Sequence, residues 1–237
     1  MKIKYKRVLL KLSGEGLMGD EKFGISPKVL QSLALQIKNI VDAGVELCIV
    51  VGGGNIFRGA KGASKGMNRT VADQVGMLAT LMNALCLQNA LEAQGVSVRV
   101  SSGLSVPQVC ENYMYRKAKR HLEKKRVVVF AGGTGNPYFT TDTGAVLRAS
   151  EMQCEVVLKS TQVDGVYSAD PKTDADAVRY DEISYDKVIA EQLRVMDMTA
   201  VALAKENNIP IIVFSQHDAD SLEKIVQGKG VCTIIKN

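Results

Sequence analysis

Tryptophan is absent from the 237 residues, and aromatic side chains make up only 5% of them. Nucleic-acid modules that stack bases need aromatics interleaved with basic residues, so this scarcity argues against an RNA-binding platform. The five cysteines stand singly in apolar stretches with no CxxC pair. An odd, unpaired set excludes a disulfide framework and a thiolate metal site, and predicts small buried hydrophobes in a reducing compartment. No uninterrupted apolar run reaches membrane-spanning length, and the run after the charged N-terminus is broken at Lys11 and Gly14, too soon for a signal-peptide core. Cytoplasmic residence is the expectation. Only two histidines occur, His121 in a basic helix and His217 in a late polar turn. Neither belongs to a glycine-rich motif, and both are expected at the surface.

What is present is an ordinary globular balance, 46% hydrophobic and 23% charged, with a net charge of +5. A chain of this length buries roughly 70 to 75% of its unfolded surface, enough for one large domain over 1–237. The mild positive charge suits small acidic ligands and falls short of the basic stripes of a dedicated nucleic-acid binder.

Apolar patterning predicts alternating strands and helices. Strands are expected at 7–12, 45–51, 96–100, 127–131, 156–159, 211–214 and 231–235. Helices are expected from Ser26-Pro27 to Gly44, over 71–94, 113–125, 141–152, 184–191, 198–207 and 221–227, with a polar loop at 170–181. Alternation of this kind implies a mostly parallel sheet covered on both faces, with ligands over the carboxyl ends of its strands. Three strands run directly into glycine-rich stretches: Ser13 to Gly16, Gly52-Gly53-Gly54, and Gly132 to Pro137. Three such loops on one sheet edge point to a shared phosphate site, since their backbone N–H groups can cradle anions.

The Walker pattern is missing, because Asp20 and Glu21 follow Gly19 where Lys and Ser/Thr belong. The dinucleotide fingerprint fails at Phe57, and no HRD or DFG sequence of protein kinases occurs. What remains is a set of charges at strand ends and loops: Lys11, Arg58, Asp142, Lys159 and Asp197. Taken alone, Lys11 has a second reading as a snorkelling edge residue, and Asp73, Asp142 and Asp197 as helix-capping acids.

The stretches LLKLSGE, VGGGNIFRG, GMNRTVADQVGMLAT, TGNPYFTTD, VDGVYSADP and VMDMTA decide between these readings. In order and spacing along almost the whole chain they resemble the amino-acid-kinase family, and within it the bacterial UMP-kinase branch. The resemblance implies an α/β three-layer αβα sandwich with a central, mainly parallel sheet. It also implies a cytoplasmic homohexamer that moves the γ-phosphoryl group of ATP onto UMP to give UDP.

Residue roles follow from the same resemblance. Lys11, Leu12, Ser13 and Gly14 hold the ATP phosphates with Gly54 and Arg58, while Thr161, Tyr167 and Asp170 hold the adenosine. Gly53, Asp73 and the run Thr134, Gly135, Asn136, Pro137, Tyr138, Phe139, Thr140 and Thr141 hold UMP. Lys159 neutralises phosphate charge, and Asp142 and Asp197 organise the lysines and Mg²⁺, which arrives on the nucleotide rather than on protein ligands. Gly19, Asp20, Glu21, Lys22, Phe23 and Gly24 match a GTP-activation segment of some relatives, and UTP inhibition is the family's common counterpart.

Overall fold

The computed structural model describes residues 2–58, 66–171, 173–174, 176–193, 195–216 and 220–237. Its strands in chain order are β1 (Arg7–Leu12), β2 (Glu46–Val51), β3 (Val98–Ser102), β4 (Glu111–Asn112), β5 (Val127–Ala131), β6 (Val156–Thr161), β7 (Val166–Tyr167), β8 (Arg179–Tyr180), β9 (Glu182–Ser184), β10 (Ile211–Ser215) and β11 (Thr233–Lys236). The helices are α1 (Pro27–Asp42), α2 (Arg69–Ala93), α3 (Tyr115–Glu123), α4 (Thr141–Met152), α5 (Tyr185–Ala190), α6 (Met198–Glu206) and α7 (Ser221–Val226), with a 3₁₀ turn at Gly14–Leu17.

Among the described residues nine strands form one sheet in the order β4-β3-β5-β2-β1-β6-β10-β11-β9, and β7 pairs with β8 apart from it. Every pairing in the large sheet is parallel except β10 with β11. Because side chains alternate across a strand, β1 sends Val8, Leu10 and Leu12 to one face and Leu9 and Lys11 to the other. The first face packs on Ile37 of α1, Leu87 of α2 and Ile225 of α7. The second packs on Leu122 of α3, Ala145 of α4, Tyr185 of α5 and Val201 of α6. Each such fully buried side chain contributes about 1.5–3 kcal/mol over leaving it in water, and the result is a three-layer αβα sandwich.

Strand β1 lies at the centre, with β2 on one side and β6 on the other. The chain winds outward from it in one direction and later returns on the other side. The loops after β1, β2, β5 and β6 therefore open at the switch point, where a doubly wound sheet leaves a crevice.

Most predicted elements are found within a few residues of their expected bounds. Four strands were not predicted: β4, β7, β8 and β9 have two or three residues each, too few to display a period of two. Two of them fall in segments read otherwise, β8 at the end of the expected 170–181 loop and β9 at the start of the expected 184–191 helix. The third strand of the sequence reading moves from 96–100 to Val98–Ser102, because its register pairs Val98 with Val127.

Helix α2 is long and apolar enough on average to meet the measure of a membrane-crossing helix, although Asp73, Gln74 and Asn83 interrupt its apolar run. Leu81, Ala84, Leu87 and Leu91 of that helix pack into the sheet's core. His121 is buried, not at the surface. It shares the inner face of α3 with Ala118 and Leu122, and its Nε2 lies 2.9 Å from Glu111 Oε2. Arg126 can only donate, and it meets Nδ1 at 3.2 Å, so Nδ1 accepts and the Nε2 proton goes to Glu111. His217 lies outside the described residues. Of the cysteines, Cys48 and Cys154 are buried as expected, whereas Cys86, Cys110 and Cys232 are only partly so.

Candidate active site

The register of β1 against β6 places Lys11 directly beside Lys159 on the face covered by α4. Two like charges a strand apart repel, and both side chains are largely buried. Asp142 resolves the conflict. Its Oδ1 lies 2.8 Å from Lys11 Nζ and its Oδ2 2.8 Å from Lys159 Nζ, so one carboxylate clamps two ammonium groups. Burial pushes the Asp142 carboxyl up, but the charges of Lys11 and Lys159 outweigh it and hold the group below its usual range. Burial likewise pulls Lys159 down, opposed by Asp142 and reinforced by Lys11. The Lys159 ammonium also donates to the carbonyl of Val195. The cluster keeps one net positive charge at the N-terminus of α4, whose N–H groups and dipole add to the pull on an anion.

Asp142 is fixed by its helix. Thr140 caps α4, accepting from Asp142 N at 3.0 Å and Thr143 N at 3.4 Å. Asp197 does not pair directly with either lysine, but its charge acts on Lys159 together with that of Asp142. Its carboxylate caps α6 through Ala200 N at 3.0 Å, and accepts from Thr143 Oγ1 at 2.8 Å and from the Thr140 hydroxyl. It braces the turn that carries Asp142.

The first two glycine loops meet at van der Waals distance. A side chain at Gly14 would come within 2.8 Å of Asn55 Oδ1, Gly52 O and Gly54 N, so only glycine lets the strands' ends close up. Gly52 N donates to Leu12 O at 2.9 Å. Leu12 turns its side chain into the core behind the loop and offers the site only its backbone. Gly54 packs at van der Waals distance on the side chains of Glu15 and Arg58, and the exposed Arg58 guanidinium pairs with the Glu15 carboxylate. The stretch 59–65, through which the loop after Arg58 was expected to run, lies outside the described residues.

Lys159, Thr161, Tyr167 and Asp170 line one cleft of about 620 Å³, with Leu193 and Val195 also in its wall. That volume falls in the range of small-molecule sites. Thr161, Tyr167 and Asp170, expected from sequence to hold adenosine, are thus brought together with Lys159 in one cleft.

On the other side of the cluster, the loop after β5 contains Gly132, Gly133 and Gly135, all at positive φ. Tyr138 also holds a left-handed φ of 70°, and its N–H donates to Asp73 Oδ2 at 2.9 Å. The same oxygen accepts from Arg69 Nε at 2.8 Å, and the Arg69 guanidinium lies 5.4 Å from the Tyr138 ring centroid. Asp73 therefore ties α2 to the loop bearing Thr134–Thr141. Tyr138 and Phe139 expose their rings, available to a flat ligand. Gly53 is pressed on α2, where a side chain would meet Gly76 O at 2.8 Å.

In the segment Gly19–Gly24, Gly19 and Asp20 line another cavity of about 320 Å³ with residues of α1, α7, the Ser13–Gly16 turn and Ser160, and Gly24 exchanges backbone and side-chain hydrogen bonds with Asn55.

Several supporting residues escaped the sequence reading: Glu15, Asn55, Thr80, Asn83 and the Val195 carbonyl. Asn83 did leave a trace, a lone amide in the apolar run Leu81-Met82-Asn83-Ala84-Leu85.

Two lysines bridged by a helix-borne aspartate, between a large cleft and a glycine-rich loop, form a site for moving a phosphoryl group between two anions. Residues 6–215 match the family model for the amino acid kinase family. The chain belongs to the amino acid kinase family. A uridylate kinase of Paramagnetospirillum magneticum is 57% identical over 234 residues, covering 99% of this chain and 98% of that protein. One from Erythrobacter litoralis is 56% identical, with 98% of each chain covered. The crystal structure of a UMP kinase from Ureaplasma parvum superposes with a TM-score of 0.94 at 36% identity, covering both chains completely. A UMP kinase from Bacillus anthracis gives the same TM-score at 39% identity, over 98% of this chain and 96% of that one. The amino acid kinase fold accounts for the layer order and for the crevice at the carboxyl ends of the central strands.

Proposed function

We infer that the chain is an ATP-dependent kinase that phosphorylates UMP to UDP. The observation that carries this is the Lys11–Asp142–Lys159 clamp, set between the 620 Å³ cleft and the Thr134–Thr141 loop. An oxygen of the UMP phosphate attacks the γ-phosphorus of ATP, the bond to the β,γ-bridging oxygen breaks, and ADP leaves. The attacking oxygen is already ionised near neutral pH, so no strong base is needed. Charge spread over the transferred group is the problem, and fixed cations with preorganised N–H donors solve it.

Lys11, Ser13, Gly14, Gly54 and Arg58 are assigned to the ATP phosphates, with Lys159 neutralising them from β6. Thr161, Tyr167 and Asp170 take the adenosine. Gly53, Asp73 and Thr134–Thr141 take UMP, with Asp73 acting through its grip on Tyr138 as well as by direct contact. Asp142 organises the lysines, and Asp197 supports it from behind. Among the described residues no cluster of three or more His, Cys, Asp or Glu side chains is placed to hold a metal. Mg²⁺ fits as an ion carried on the ATP phosphates, with Asp142 the nearby carboxylate, and it would supply further charge neutralisation.

We also assign the whole chain to one domain, cytoplasmic and assembled as a homohexamer, with GTP activation at Gly19–Gly24 and UTP inhibition. The exposed apolar stripe Val71, Leu78 and Met82 on α2 supports self-association, and the cavity beside Gly19 and Asp20 supports an effector.

The test is UDP formation from ATP and Mg²⁺ with UMP, CMP, dTMP and carbamate as parallel acceptors, beside a Lys11→Ala control. UDP alone, abolished in the control, is expected. Turnover of another acceptor moves the activity to a sibling kinase, and no turnover at all identifies a nucleotide sensor.

A further inference from the structure

Helix α2 reaches both halves of the crevice from one face. Asp73 accepts from Tyr138 N, Gly76 and Ala79 abut Gly53, Thr80 Oγ1 accepts from Gly132 N at 2.8 Å, and Asn83 Nδ2 donates to Gly52 O at 2.6 Å. Residues 73, 76, 80 and 83 recur at three- and four-residue spacing, which is a single helical stripe. Val71, Leu78 and Met82 form the opposite, exposed stripe.

Each inward contact is committed. The Thr80 hydroxyl donates to Met77 O at 2.7 Å, which turns its lone pairs toward Gly132. Asn83 and Asn55 exchange amide hydrogen bonds, Asn83 Nδ2 to Asn55 Oδ1 at 2.7 Å and Asn55 Nδ2 to Asn83 Oδ1 at 3.0 Å. Asn55 also donates to Gly24 O at 2.8 Å, and its Oδ1 is among the atoms packed closest on Gly14. Asn83 and Thr80 are both buried, where unpaired polar groups are costly, so their partners are dictated.

We propose that Thr80 and Asn83 are positioning residues that set the distance between the donor and acceptor phosphates. Asn83 grips the Gly52–Gly54 loop and, through Asn55, packs it on Gly14, which sets Gly14 and Gly54 of the ATP side, while Thr80, one turn away on the same rigid helix, grips the loop that carries Thr134–Thr141 of the UMP side. Neither touches substrate. The pair fixes where one loop stands relative to the other, which is what in-line transfer requires and what binding of either nucleotide alone does not. This rests on the UMP kinase reading, and it adds a part to that machinery.

The experiment measures kcat and both KM values of UDP formation for the wild type, Thr80→Val, Thr80→Ser and Asn83→Ala, with thermal unfolding of each. Valine keeps the shape of threonine and loses the acceptor for Gly132 N, whereas serine keeps it. A misplacement of reacting groups by about 1 Å costs on the order of a hundredfold, so Thr80→Val and Asn83→Ala should lose about ten- to a hundredfold in kcat. Their KM values for ATP and UMP should stay within about threefold, because the residues assigned to contact each nucleotide are unchanged. Thr80→Ser should return kcat to within about twofold of wild type.

Three results overturn the proposal: equal loss in Thr80→Ser and Thr80→Val, a loss confined to KM, or failure of both Thr80→Val and Asn83→Ala to fold, which would make the contacts structural. An inactive wild type would instead sink the kinase reading itself.

Discussion

Replacing Asp142 with asparagine tests the centre of the site. The change keeps the side chain's shape and removes its charge, leaving Lys11 and Lys159 side by side with side-chain exposures of only 10% and 11%. Unit charges about 4 Å apart at an effective dielectric of ~20 interact by about 4 kcal/mol, and Asp142 satisfies two such partners. Desolvation offsets much of that gain, and breaking a buried pair costs about 3–5 kcal/mol in practice. At about 2–4 °C per kcal/mol for a chain of this size, Tm should fall by about 6–20 °C.

The pH dependence carries a sign. Asp142 has a depressed pKa in the folded state, so its contribution is complete above the unfolded carboxylate range and is lost as pH falls through the lower, folded value. Lys159 is depressed as well, so its charge costs stability at neutral pH, and that cost disappears as pH rises. The Tm gap between wild type and Asp142→Asn should therefore be widest near neutrality and narrow in both directions. Differential scanning calorimetry from acid to alkaline pH measures it. Turnover should fall by about 10²–10³-fold, as when one preorganised charge contact in an active site is lost. A Tm within ~2 °C of wild type at neutral pH, with turnover retained, would refute the clamp.

Gly14→Ala should force the Gly52–Gly54 loop away, lowering Tm and raising KM for ATP by at least about tenfold, since the new methyl has Gly52 O and Gly54 N within 2.8 Å of it; thermal unfolding and initial-rate kinetics read this. Asp197→Ala removes a helix cap and two threonine contacts, and should cost about 1–2 kcal/mol in urea unfolding, with a smaller loss of kcat than Asp142→Asn. The Glu111 carboxyl is pushed up by burial but held lower overall by its hydrogen bonds with His121 and Lys117 and by the Lys117 charge. Its contribution is present above the unfolded value near about 4.3 and lost below it. Glu111→Gln should accordingly flatten the fall of Tm with acid below that pH.

The chain's own order of residues settles a great deal. Apolar runs ending in glycine, separated by helices with legible starts such as Ser26-Pro27, fix an α/β architecture and put three phosphate-type loops on one edge. Those signals are local, because a strand's apolar run and a helix's spacing are written in consecutive residues. The motif stretches likewise mark Lys11, Asp142 and Lys159 as candidates. Partnership is a different matter. That Lys11 and Lys159 stand side by side depends on strand register across 148 positions of sequence, and that one carboxylate satisfies both depends on where α4 starts over the sheet. The burial of His121 against Glu111 and the bracing of Thr140 and Thr143 by Asp197 are likewise products of packing between elements. So is the inward stripe of α2, where Asn83 reads in sequence as a lone amide in the short apolar run Leu81–Leu85. Its amide became a tie between two loops only when folding removed the water it would otherwise have bonded, leaving Gly52 O and Asn55 as the partners in reach.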